Sequence, residues 1–143
     1  MTSLSLQQAS AIVDAALTAA RELDLRPLSI TVLDAGGNTI VLKREDDSGI
    51  LRPEIAHAKA WGCLGMGQGG GHITRHADRN PTFFAALTAI SGGRIASSRG
   101  GVLIRDAQGE LLGAVGVSGD APDKDEQVAL AGIAKADLVA DAG

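Results

Sequence analysis

From Leu6 to Leu23 the apolar residues Leu6, Ala9, Ile12, Val13, Ala16, Leu17, Ala20 and Leu23 recur at three- and four-residue steps, the period of a helix with one buried face. Ser5 and Gln8 supply a capping box at its start, so the spacing predicts an amphipathic helix of about five turns. Past Arg26-Pro27 the period falls to two. Leu28, Ile30 and Val32 alternate with Ser29 and Thr31, which predicts a strand buried on one face. Asp34-Ala35-Gly36-Gly37-Asn38 is a tight turn, and Thr39 to Lys43 returns as the second strand of a hairpin. The same order recurs later: Val102, Leu103 and Ile104 open an apolar run, Asp106-Ala107-Gln108-Gly109 turns, and Leu111 to Val117 runs back. A sheet made of such hairpins is expected to be mainly antiparallel.

Between and after the hairpins the pattern is helical. From Arg52-Pro53 the stretch EIAHAKAWGCLGMG reads as a helix with Ile55, Ala58, Cys63 and Leu64 toward its buried side. Five of the seven residues from Gly65 to Gly71 are glycine, which implies either mobility or close contact with another surface. Asn80-Pro81 opens a short apolar helix, Thr82 to Ile90, ended by Ser91-Gly92-Gly93, and Ile95 to Ser97 could form a short strand. Ser118-Gly119-Asp120-Ala121-Pro122 marks the start of a last helix, whose apolar stripe is Val128, Leu130, Ala131, Ile133, Ala134 and Leu138. Asp120, Asp123, Asp125 and Glu126 suit the positive end of that helix, each worth about 0.3–1 kcal/mol when exposed, and Asp125 and Glu126 are assigned to structure there rather than to catalysis.

A length of 143 residues with 45% in the hydrophobic classes predicts one compact domain spanning residues 1–143. With two Phe, one Trp and no Tyr, its core must be built from Ala, Val, Leu, Ile and Gly, which bury little area each but let helix approach sheet closely. The single Cys63 excludes an intrachain disulfide. The first residues, MTSLSLQQASAIVDAAL, lack the basic and apolar regions of an export signal, and no run approaches the roughly 18–20 apolar residues of a membrane span, so a cytoplasmic protein without membrane contact is expected. A net charge of −4 argues against nucleic-acid binding. The charge is uneven, however: residues 51 to 105 carry +5, which leaves −9 for the rest, a distribution suited either to a small anionic ligand or to solvated charges that share no pocket.

The candidate chemistry lies in that basic middle. His72 and His76 have the i, i+4 spacing that puts two imidazoles on one helical face, and Cys63, His57 or Asp78 could complete a metal set; the zinc-protease pattern is absent because Ile73 stands where a Glu would be required. The competing reading is a polar helix with solvated histidines beside Arg75 and Arg79. His57 and Trp61 are also four apart and could flank a planar ligand, although core packing is the ordinary use of a lone Trp. Lys59 stands in an otherwise apolar helix, where it either snorkels to solvent or contacts an anion or carbonyl. Cys63 could be a nucleophile with His57 or His76 as base, or a small buried hydrophobe. The glycine-rich stretches have neither the Gly-Lys-Ser/Thr ending of a phosphate loop nor a dinucleotide fingerprint, and there is no Gly-x-Ser-x-Gly elbow.

Taken together, the N-terminal helix, VLDAGGN at 32 to 38, AHAKAW at 56 to 61, GGVLIRD, and GAVGVSGDAPDKDEQVALAGI at 113 to 133 resemble the GlcG/HbpS family, which includes the C-terminal domain of PduO proteins. The resemblance covers nearly the whole chain and is most specific at VGVSG followed by Asp125-Glu126; Gly36, Gly37, Lys59, Gly116, Ser118 and Gly119 also fall within matching motifs. The chain departs from the family pattern at GQGGGHITRHADR. What the resemblance implies is an α/β fold of the α+β type, a largely antiparallel five-stranded sheet flanked by helices, assembled into a homo-oligomer, with haem or corrinoid metabolism among the family's associations. Two functions follow as expectations. One is a module that binds a small carboxylated ligand, haem included, through Lys59, His57, His72, Arg75, His76, Arg79, Arg94 and Arg99, with His72 and His76 as the iron or metal ligands. The other is a small catabolic enzyme, an isomerase, tautomerase or hydrolase of an organic acid, in which a histidine or Lys59 moves protons and an arginine orients the carboxylate.

Overall fold

The computed structural model describes residues 3–143. Helix α1 (Leu6–Glu22) begins with the expected capping box: Ser5 Oγ accepts the Gln8 N–H and Gln8 Oε1 accepts the Ser5 N–H, both at 3.0 Å. Strands β1 (Ser29–Asp34) and β2 (Thr39–Arg44) form the first hairpin, and helices α2 (Arg52–Met66), α3 (Gly70–Arg79) and α4 (Pro81–Ile90) follow in succession. Strands β3 (Gly101–Arg105) and β4 (Leu111–Ser118) form the second hairpin, before α5 (Pro122–Lys135) and β5 (Val139–Asp141). The two hairpin turns are built alike. Asp34 Oδ1 accepts the N–H groups of Gly36 and Asn38, and Asp106 Oδ1 those of Gln108 and Glu110, each at 2.9 Å.

The described residues thus make an α+β domain of five helices around one open five-stranded sheet, in the order β2-β1-β4-β3-β5 with every neighbour antiparallel. Alternate residues of the central strands point into two separate cores. Ile30, Val32, Val102, Ile104, Val115 and Val117 pack under α1 and α5, while Leu33, Leu103 and Ala114 pack with Ala60 and Cys63 of α2 and Ile73 of α3. The period-two pattern of β1 therefore does not mean one wet face. Ser29 and Thr31 are buried as well, because α2 covers the side that α1 leaves open.

Three further expectations are corrected. Ile95 to Ser97 form no strand: the Ala96 N–H is taken by the Ala58 carbonyl of α2 at 3.3 Å, so the segment is tied to a helix. The fifth strand is β5, which fills the outer edge of β3 through Leu103↔Asp141, Ile104↔Ala140 and Arg105↔Val139. Helix α5 ends at Lys135, so Leu138 packs on the core from beyond it, and its N-cap is Ala121 with no side-chain cap.

Candidate functional site

Helix α2 has two working faces. One lies on the sheet and carries Ala56, Lys59, Ala60 and Cys63, all buried. The other carries Glu54, His57, Ala58 and Trp61, at the i, i+3, i+4, i+7 spacing of one helical stripe. Across from this stripe runs the Gly92–Arg94 turn, held down by the Ala96 to Ala58 hydrogen bond and by Ile95 lying against Gly62. Between them is a cleft of about 230 Å³ lined by Glu54, His57, Ala58, Gly92, Gly93 and Arg94. The Arg94 guanidinium carbon sits 4.2 Å from the centre of the Trp61 ring, and its Nε donates to the Ser91 carbonyl at 2.7 Å. A stacked and tethered guanidinium is pre-oriented for a carboxylate. Burial first, and the adjacent Arg94 charge second, hold His57 below the ordinary imidazole range, so the ring is neutral at neutral pH.

A second surface lies on α3 and α4. The α3 residues His72, Arg75, His76 and Arg79 form one stripe of basic residues, away from the buried Gly70, Gly71 and Ile73. The His76 ring is edge-on to Phe84, with centroids 5.0 Å apart, and is tilted 6.1 Å from Phe83. Helix α4 is apolar except for its two threonines, yet only Phe84 is buried; Phe83, Ala85, Ala86, Ala89 and Ile90 are exposed. A basic stripe therefore borders an uncovered apolar helix, with a half-buried imidazole at the seam.

The remaining expected site residues are engaged elsewhere. Lys59 is 4% exposed and Asp125 1%, and the lysine ammonium donates to Asp125 Oδ2 at 3.1 Å and to the Val117 carbonyl at 2.9 Å. Burial pulls the Lys59 amine down and pushes the Asp125 carboxyl up, with their mutual attraction opposing both shifts. Arg99 forks onto Glu126 through Nε and Nη2. Asp125 and Glu126 thus bind cations from other elements instead of capping their own helix. Asp120 accepts the Arg26 and Ala121 N–H groups, which hold its carboxyl below the usual range.

The segments of Lys59, His72 and Arg99 do meet, but as packed backbone. A Cβ at Gly70 would stand 2.7 Å from the Ser98 carbonyl and 2.9 Å from that of Gly101, so the glycine-rich stretch is pressed onto the entry to β3 and not left mobile. The ligand candidates divide into two places: His57 with Arg94, and His72, Arg75, His76 and Arg79. Burial pushes the Cys63 thiol up to about 12, with the Asp141 charge adding to it, which makes it a protonated core residue and a poor nucleophile. Among the described residues no three His, Cys, Asp or Glu side chains gather as a metal set. Glu54 and Phe83 were missed by residue type; their signal was the 54, 57, 58, 61 stripe and the all but uncharged run after Pro81.

The family model described as "Haem degrading protein HbpS-like" matches residues 4–134. Corrinoid adenosyltransferase PduO of Citrobacter freundii is 30% identical over 132 residues, which are 92% of this chain and 38% of PduO. The chain therefore spans well under half the length of that relative. An uncharacterized 15.0 kDa protein of the dhaT-dhaS intergenic region, also of Citrobacter freundii, is 29% identical over 129 residues, 90% of this chain and 89% of its own. Among solved structures, that of HbpS superposes with a TM-score of 0.81 at 31% identity, covering 94% of this chain and 90% of HbpS. The PduOC:Heme complex superposes with a TM-score of 0.86, covering 96% and 98%, at 24% identity, where likeness speaks for the fold.

Proposed function

The chain belongs to the HbpS-like family described by its haem-degrading members, and from that membership we propose that it is a haem-binding module whose ligand lies on the α3–α4 surface. The observation that carries the reading is the setting of His76, an imidazole edge-on to Phe84 at the seam between a basic helix stripe and an exposed apolar helix. Haem needs an axial donor, an apolar surface for its macrocycle and cations for two propionates, and the residues present fit all three. His76 would hold the iron, with His72 one turn away. Phe83 and Ile90, 47% and 76% exposed, would cover the ring, and Arg75 and Arg79 would take the propionates. When bound, haem supplies a redox-active iron whose electronic state the axial ligand sets. Lys59 and Arg99, held by Asp125 and Glu126, serve the frame of the domain.

A tetrapyrrole on one helix face keeps its outer side in water, and a second copy closing over α4 would bury it. The reading therefore includes self-association, and light scattering should give a mass above 14.5 kDa.

Titration with ferric haem tests the site. A Soret band should develop on binding, and His76→Ala should shift its maximum and weaken binding by about tenfold or more. His57→Ala, in the other cleft, should leave the band where it is. A Soret maximum that moves with His57→Ala and not with His76→Ala would overturn the α3–α4 placement, and the lack of any Soret change in the unmodified protein would remove the haem reading.

A further inference from the structure

We propose that the cleft between α2 and the Gly92–Arg94 turn is a second site, for a short carboxylate that carries a hydrogen-bond donor, a hydroxyl or an ammonium, on the neighbouring carbon. The site is separate from the haem surface and does not depend on it.

Three observations carry the proposal. The first is that Arg94 is fixed but unmatched. Six cations of the described residues are engaged by a carboxylate, and Arg94 is not among them. Trp61 stacks under its guanidinium and Ser91 takes its Nε, and among the described residues neither Nη has an acceptor. A guanidinium immobilised in this way has little side-chain entropy left to lose on binding a carboxylate, and its fork suits the two oxygens. The second is that Glu54 lines the same cleft and is also without a cation partner among the described residues. It does not pair with Arg94, so the cleft presents a positive and a negative group that are unmatched by each other. A ligand with an acceptor at one end and a donor at the other satisfies both, whereas a bare anion would face the Glu54 carboxylate. The third is His57, a neutral ring on the cleft wall that can accept from the same donor. A volume of about 230 Å³ is below that of pockets for drug-sized ligands and suits a small acid.

Trp61 is the only tryptophan and there is no tyrosine, so intrinsic fluorescence reports directly on the ring under Arg94. Lactate and alanine serve as probes of the hydroxyl and ammonium forms, with propionate as the acid that lacks the donor. Lactate or alanine should change the emission saturably, and propionate should bind at least about tenfold more weakly. Arg94→Lys keeps the charge but loses the fork and should weaken binding by about tenfold. Glu54→Gln should narrow the gap between the favoured acid and propionate. No saturable response to either probe, equal affinity for propionate, or an unchanged response in Arg94→Lys would each overturn the proposal. Should Arg94→Lys melt early, Glu54→Gln at an exposed helical position still decides: an unaltered preference among the three acids counts against the site.

Discussion

Replacing Lys59 by Met should lower the unfolding free energy by about 3–5 kcal/mol, the cost of leaving a buried charge without its partner. Met reproduces the lysine side chain as far as Cε and lacks only the ammonium, so packing along α2 is nearly preserved and the loss is mainly electrostatic. What remains is the Asp125 carboxylate, 1% exposed, with one N–H from Asp120 at 3.0 Å, while the Val117 carbonyl loses its lysine donor. Asp125→Asn should cost a similar amount by stranding the ammonium. The double variant Lys59→Met, Asp125→Asn should recover most of the loss, because neither charge is then buried alone and the amide oxygen that replaces the carboxylate still accepts the Asp120 N–H. Urea denaturation of the three proteins checks this. A double variant as unstable as the sum of the singles would show that the pair is held by packing and not by its charges.

The two single variants should respond to pH in opposite directions. In Lys59→Met the Asp125 carboxyl, already raised by burial, has lost the cation that opposed the rise. A folded value above the unfolded value of about 3.9 means that the folded state binds the extra proton, so stability is retained at low pH and lost as pH climbs through the raised value. The deficit of Lys59→Met should therefore shrink on acidification. In Asp125→Asn the Lys59 amine, already lowered by burial, has lost its anion. The folded state then releases a proton that the unfolded state keeps, so stability is lost as pH falls through the lowered value and returns toward the unfolded value of about 10.4.

The helices and both hairpins could be read from periodicity because their signals are local: a capping box four residues long, an Asp-centred turn, an apolar run. What could not be read depends on partners distant in the chain. Lys59 in an apolar helix looks like a ligand contact, and only folding brings up Asp125, 66 residues later, to claim it. Strand β5 is three residues long and carries no period of its own; it exists because β3 has an open edge. The stripe of His72, Arg75, His76 and Arg79 was present in the spacing, but α4 misleads in the opposite sense, since an apolar helix suggests burial and this one is largely exposed. The cleft at Arg94 required the 91–94 turn to fold back on α2, which neither segment announces alone.

Gly116→Ala should cost about 3 kcal/mol or more, at the upper end of what overpacking exacts, although the change is one methyl group. The cause is the platform on which α2 rests. Gly116 of β4 and Gly101 of β3 are cross-strand neighbours, and both face the helix. A Cβ at Gly116 would overlap the Ala56 carbonyl oxygen and stand 2.8 Å from its carbon and 3.0 Å from the Ala60 nitrogen. These are backbone atoms of a regular helix and cannot rotate aside, so the whole of α2 must lift from the sheet. Lifting it withdraws Ala60 and Cys63 from the core they share with Leu103 and Ala114, and draws Lys59 away from Val117 and Asp125. Gly49→Ala is the matched control: its Cβ would meet only the Arg52 Cγ at 3.7 Å, an ordinary contact, and the change should be neutral or stabilise by up to about 1 kcal/mol. Urea midpoints of the two variants check the prediction, with an unchanged slope showing that the same surface unfolds. A Gly116→Ala protein within about 1 kcal/mol of the parent would mean that α2 rides over the sheet with room to spare, and that the paired glycines are not what sets its height.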